Sequence, residues 1–141
     1  MKQSVSLNWM NNMAFEANAN GHKIIIDAPH EAGGQDLGPR PKTLMLVALG
    51  GCTGMDVVSL LKKMRVDYEK LEIIVEGNTA DDHPKKFLKM KVIFNFIGNN
   101  LSLEKIQKAA DLSREKYCGV SANYKSSIEI DYEINIHDPD K

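Results

Sequence analysis

Residues 38–65, GPRPKTLMLVALGGCTGMDVVSLLKKMR, decide how this chain is read. Leu44, Val47, Ala48, Met55, Val58 and Leu61 recur at helical spacing, and the run is too long for one strand. A helix is therefore expected from Lys42 to about Met64. Leu46, Leu49, Val57 and Leu60 fill most of the remaining angle, so its surface is apolar nearly all round. Such a helix is expected to be buried, and in so short a chain that implies cover from a second subunit. Gly50-Gly51 in its middle costs about 1 kcal/mol per glycine relative to alanine. That cost is tolerated for a kink or a close backbone approach.

Upstream the pattern changes to strands. Val5, Leu7 and Trp9 alternate with polar neighbours, and Met13, Phe15 and Ala17 continue more loosely. Asn20-Gly21 signals a hairpin turn, followed by HKIIIDA at 22–28. Residues 30–41, HEAGGQDLGPRP, form a loop long enough to suspect a functional role. Downstream, LEIIVEG (71–77) and FLKMKVIFNFI (87–97) read as strands. In the second, Leu88, Met90, Val92, Phe94 and Phe96 share one face. Ser102 can cap a helix running to about Tyr117, broken by Cys118-Gly119. A last strand, SIEIDYEINI, spans 127–136. The order β-β-β-α-β-β-α-β is α+β, with antiparallel sheets and a long buried central helix, in a single domain 1–141.

Composition narrows the function classes. The 141 residues carry 18 basic and 19 acidic side chains, a net charge of −1. No basic patch supports nucleic-acid binding. The longest charge-free stretches, Gln3–Phe15 and Thr43–Met55, are too short to span a bilayer, and the N-terminus lacks the apolar core of a secretory signal. A cytoplasmic protein with no membrane partner is expected. His22, His30, His83 and His137 show no ligand-like spacing with the two cysteines, so neither a metal nor a cofactor is expected.

Cys52 and Cys118 are the candidate chemical groups. If the chain kinks at Gly50-Gly51, the next turn acts as a helix N-terminus that favours a thiolate at Cys52. Arg40 and Lys42 would add positive charge and activate that thiolate. Equally, Gly-Gly-Cys supplies small side chains where elements cross tightly. Cys118, at a helix end before a glycine, suits a thiol that swings to a partner, or a small apolar plug. Asp56 lies one helical turn beyond Cys52, supporting the site or bonding to backbone. Two such thiols are the minimum equipment for peroxide reduction: one becomes a sulfenic acid and the other condenses with it.

The stretch at 38–65, followed by REKYCGVSANY at 114–124, resembles the OsmC/Ohr family of thiol-dependent hydroperoxide reductases. The resemblance implies an OsmC-like fold and an intertwined homodimer with active sites at the subunit interface. It implies that Cys52 is the peroxidatic and Cys118 the resolving cysteine, acting on organic hydroperoxides with a thiol reductant. Peroxidase members pair an N-terminal-loop arginine with a glutamate just after the proline corresponding to Pro41. Here Lys42 and Thr43 follow that proline, and no arginine precedes Arg40. Arg40 or Lys42 is the expected substitute cation, bringing Cys52 to a pKa of roughly 7. The alternative is a non-catalytic member that binds a small apolar or acyl ligand.

Overall fold

Six strands and three helices follow in the order β1 (Ser6–Asn11), β2 (Ala14–Ala19), β3 (His22–Ile26), α1 (Pro41–Lys63), β4 (Lys70–Thr79), β5 (Phe87–Ile97), α2 (Leu103–Leu112), α3 (Gly119–Tyr124) and β6 (Glu129–His137). The computed structural model describes all residues, Met1–Lys141. They divide into two compact units, residues 1–45 and 46–141.

In the first unit β1, β2 and β3 form an antiparallel meander. Asn20 and Gly21 both take positive φ, 54° and 78°, as the expected two-residue hairpin requires. Leu7, Ala17 and Ile24 align across the sheet, as do Trp9, Phe15 and Ile26. This apolar face is largely open: Trp9 is 66% exposed, and Leu7, Phe15 and Ile24 are exposed too. The loop after β3 is built around Asp27, which is 3% exposed. Its carboxylate accepts the N–H groups of Ala28, Gln35 and Leu37 at 2.7, 3.1 and 3.1 Å. Burial alone would raise this carboxyl, but the three N–H donors and Arg40 outweigh it and hold the pKa below the ordinary value. Nothing in the sequence pattern marks Asp27 for that role.

The second unit holds the core. Its sheet has the order β4-β5-β6, with β5 central. β5 pairs antiparallel with β4 but parallel with β6, which corrects the expectation of wholly antiparallel sheets. The β5-to-β6 connection is a crossover through α2 and α3, and such a connection returns the chain in the same direction. Met90, Val92, Phe94 and Phe96 are buried as expected, whereas Leu88 is 49% exposed and Phe87 is buried instead. The register explains the exchange: Asn78 opposes Lys89 and Thr79 opposes Phe87, so Leu88 is the extra residue of a bulge. Lys89 and Lys91 lie on the solvent face, paired with Asp131 and Glu133 at 3.0 and 2.8 Å.

α1 is one unbroken helix, so the kink allowed for at Gly50-Gly51 is absent. The glycines serve close approach. A Cβ on Gly50 would sit 2.8 Å from Val75 Cγ2, and one on Gly54 would sit 2.6 Å from Ile73 Cδ1. Both partners belong to β4, and residues 50 and 54 share a helix face. Leu49, Thr53, Gly54, Val57 and Leu61 are buried, but Val47, Met55 and Val58 are exposed, Met55 by 76%. The helix is therefore covered on one side only within the chain. By length and composition alone it is long and apolar enough to cross a membrane, a test that the core helix of a globular protein also passes. The charge-free stretch understates that length because Asp56 is embedded in the apolar run.

Candidate functional site

Cys52 lies mid-helix in α1, where its own N–H and carbonyl belong to the regular ladder. Cys118 is placed by a different device. α2 begins at Ser102, whose side chain accepts the Lys105 N–H, and the helix then widens into a π-turn at Ser113–Tyr117. The turn ends at Cys118, which is extended (φ −77°, ψ 105°) and caps α3. Its sulfur accepts the Ser121 N–H at 3.3 Å, and the Ser121 hydroxyl donates to its carbonyl at 3.1 Å. A cysteine occupies the place that serine or aspartate usually fills at a helix start.

The fold brings the two thiols together with Asp56. Cys52 Sγ, Cys118 Sγ and a carboxylate oxygen of Asp56 all lie within 4.8 Å of one another. Cys118 is 3% exposed, while Cys52 and Asp56 are half-buried. Thr53, fully buried, puts its hydroxyl 3.7 Å from Cys118 Sγ. Ser113, also fully buried, donates to Asp56 Oδ2 at 2.8 Å, so Asp56 bonds to a side chain rather than to backbone. Tyr132 sits behind Ser121 with its hydroxyl buried, and the Arg114 guanidinium lies over its ring at 4.8 Å. Thr53, Ser113, Ser121 and Tyr132 escaped the sequence reading. Only Ser121, three residues after Cys118, carried a readable capping signal.

The local electrostatics act differently on the two thiols. Burial pushes the Cys52 thiol above its ordinary value, and neighbouring Cys118 and Asp56 push the same way. The Val120 N–H is the one leading influence that favours its thiolate. Burial also acts against a Cys118 thiolate, but donors from Ser121, Cys52 and Thr53 outweigh it and the pKa falls. Negative charge on Cys118 in turn raises Tyr124 and Tyr132, for both of which burial is the larger cause. The two thiols are therefore pushed in opposite directions, Cys52 up and Cys118 down.

The direction at Cys52 is opposite to the one expected from a helix start at Gly50-Gly51 and a nearby cation. The helix start that meets the sulfurs is that of α3, not a broken α1. Arg40 donates to Asp36 Oδ1 at 2.6 Å and to the Gly38 carbonyl at 3.0 Å. Lys42 is ten residues before Cys52 on α1, roughly 15 Å of helix rise. Neither is among the leading influences on Cys52.

An apolar groove of about 600 Å³ runs along α1 and β4, lined by Gly50, Gly51, Gly54, Met55, Val58 and Ile73 among others, with neither cysteine in its wall. Its floor is open at Gly51, whose absent side chain would meet nothing.

Comparison with known proteins converges on one family. Residues 33–133 match the family described as OsmC-like protein. The chain is 30% identical over 129 residues to Protein YhfA of Escherichia coli K12, covering 91% of this chain and 93% of that one. Among solved structures, a hypothetical protein from Aquifex aeolicus VF5 superposes with a TM-score of 0.86 at 26% identity, covering 98% of both chains. An organic hydroperoxide resistance protein OsmC from Legionella pneumophila superposes with a TM-score of 0.70 at 13% identity, covering 96% of this chain and 97% of that one.

Proposed function

The chain belongs to the OsmC-like family, and we propose that it reduces organic hydroperoxides with Cys52 and Cys118 as its working groups. The observation that carries this reading is the convergence of two thiols, one half-buried and one buried, within 4.8 Å. Cys52 is the accessible sulfur and meets the peroxide, while Cys118 holds the charge. As Cys52 passes its proton to the Cys118 thiolate, Cys52 Sγ attacks the distal peroxide oxygen. The O–O bond breaks, Cys52 becomes a sulfenic acid, and the alkoxide takes the proton back from Cys118 to leave as the alcohol. The regenerated Cys118 thiolate then attacks Cys52 sulfur, forming the disulfide and releasing hydroxide, which is protonated to water. A dithiol donates two electrons to restore both thiols. Cys118 thus acts as base, acid and nucleophile in turn, which substitutes for an arginine–glutamate pair.

The name of the Legionella pneumophila protein, organic hydroperoxide resistance, supports this substrate class. The reading places the chain in the cytoplasm as a homodimer. The open faces of the β1-β2-β3 sheet and of α1 are the surfaces a second copy would cover. Sedimentation at micromolar concentration should then give twice the chain mass, and a clean monomer would exclude the dimer. The catalytic test is peroxide consumption with a dithiol reductant, together with mapping of a stoichiometric Cys52–Cys118 disulfide. Folded protein that keeps both thiols free after peroxide treatment would reject the mechanism.

A second reading rests on the raised Cys52 pKa and on the apolar groove along α1 and β4. A thiol made less reactive and a separate apolar groove suit a binding protein for a small apolar or acyl ligand. That reading predicts saturable binding of a fatty-acyl probe with no peroxide turnover.

A further inference from the structure

We propose that Cys52, Cys118 and Asp56 chelate a thiophilic divalent cation of the zinc class, leaving a fourth coordination position open. Residues 52 and 56 stand one turn apart on the same face of α1, a spacing that lets two side chains reach one ion. The crossover from β5 to β6 delivers the third donor, Cys118, from 66 residues away in sequence, which is why spacing alone showed no ligand set.

The three donor atoms already lie within 4.8 Å of one another. In a tetrahedral site with metal–sulfur bonds of about 2.3 Å and metal–oxygen bonds of about 2.0–2.2 Å, neighbouring donors stand roughly 3.5–3.8 Å apart. Rotation of half-buried side chains suffices to close the difference. Two thiolates and one carboxylate select zinc-like ions over magnesium or calcium, which take all-oxygen sets.

The supporting groups also suit a metal. Ser113 Oγ donates to Asp56 Oδ2 at 2.8 Å and so orients the carboxylate, which has a second oxygen and further lone pairs to offer. The Val120 N–H meets Cys52 sulfur and the Ser121 N–H meets Cys118 sulfur, so each thiolate would be hydrogen-bonded as well as coordinated. The half-buried Cys52 and Asp56 provide the way in.

Binding needs both sulfurs as thiolates and releases whichever thiol protons remain at the working pH, giving a complex of net charge −1, with no change of oxidation state. Affinity therefore rises with pH until both thiols are ionised. Coordinated sulfurs cannot condense with each other, so metal and disulfide are alternative states of the same pair. The inference rests on donor geometry and stands whether or not the chain consumes peroxides.

The experiment is anaerobic titration of the reduced full chain with Co2+, followed by displacement with Zn2+. One equivalent of cobalt should give intense sulfur-to-metal charge-transfer absorption and the visible bands of a tetrahedral ion, both lost on adding zinc. Cys52→Ser should roughly halve the charge-transfer intensity. Asp56→Asn should keep two sulfur ligands yet weaken zinc binding on the order of 10–100-fold, with its circular dichroism unchanged. Stoichiometric zinc should slow alkylation of both cysteines by at least about tenfold in unmutated protein, a readout that needs no variant to fold. Cobalt bound without sulfur charge transfer, an unaltered affinity in Asp56→Asn, or unprotected cysteines under saturating zinc would each overturn the proposal.

Discussion

The mid-helix position of Cys52 and the helix junction at Cys118 present the same side chain in two kinds of backbone. α1 is regular from Pro41 to Lys63, so every N–H around Cys52 is already spent within the helix. Between Ser113 and Ser121 the chain passes through a π-turn, an extended residue and a new helix start. Such junctions leave N–H groups without intrahelical partners. Those donors reach both sulfurs, but Ser121 and Thr53 concentrate on Cys118, and burial without equal compensation raises the Cys52 pKa. The more accessible sulfur is thus the one whose thiolate is disfavoured.

Replacement of Cys52 breaks the comparison outright. Cys52→Ser should lower peroxide turnover by on the order of 10³-fold or more while Cys118 remains alkylatable. It should also raise the Cys118 pKa, because the Cys52 thiol is one of its donors. Retention of turnover would mean that Cys118 meets the substrate alone.

On the α1 side the regular helix depends on its seat against β4. Gly54→Val drives a side chain into Ile73 and should cost about 1–3 kcal/mol of stability, read by chemical denaturation. A neutral result would mean that α1 does not approach β4 as closely as described.

How far the sequence foretold this division depends on the element. α1, β5 and the Ser102 cap were legible because their signals are local: helical periodicity, alternation, and a capping residue before a helix. The parallel β6, the displaced Leu88 and the Asp27 loop were not, since a crossover, a bulge and a hub of backbone donors leave no period. The cysteine pair was legible as chemistry through its residue types and through resemblance. Its polarity was not, because the groups that favour the Cys118 thiolate, Thr53 and Ser121, lie on separate elements far apart in sequence.

The donors on the Cys118 side sharpen the comparison. Ser121→Ala removes a hydroxyl whose proton is shared between the Cys118 carbonyl and sulfur but keeps the backbone N–H, and a hydrogen bond to a thiolate is worth roughly 0.5–1.5 kcal/mol. The Cys118 pKa should therefore rise by up to about one unit, and its alkylation rate near neutral pH should fall accordingly. An unchanged pH profile would shift the credit to the backbone alone. Thr53→Val removes the weakest contact, at 3.7 Å, and should move the same profile in the same direction by only a few tenths of a unit.

The order in which the two sulfurs ionise tests the account most directly. Cysteine labelled with ¹³C at Cβ, followed by NMR through a pH titration of the reduced protein, reports each thiol separately. The Cys118 signal should titrate first, below the ordinary thiol value of about 8.5, and the Cys52 signal second, above it. In Cys118→Ser the Cys52 titration should fall back toward the ordinary value, because both the neighbouring charge and the hydrogen bond it donates are gone. A Cys52 signal that titrates first, or that stays where it was in Cys118→Ser, would contradict the division of labour between the two cysteines.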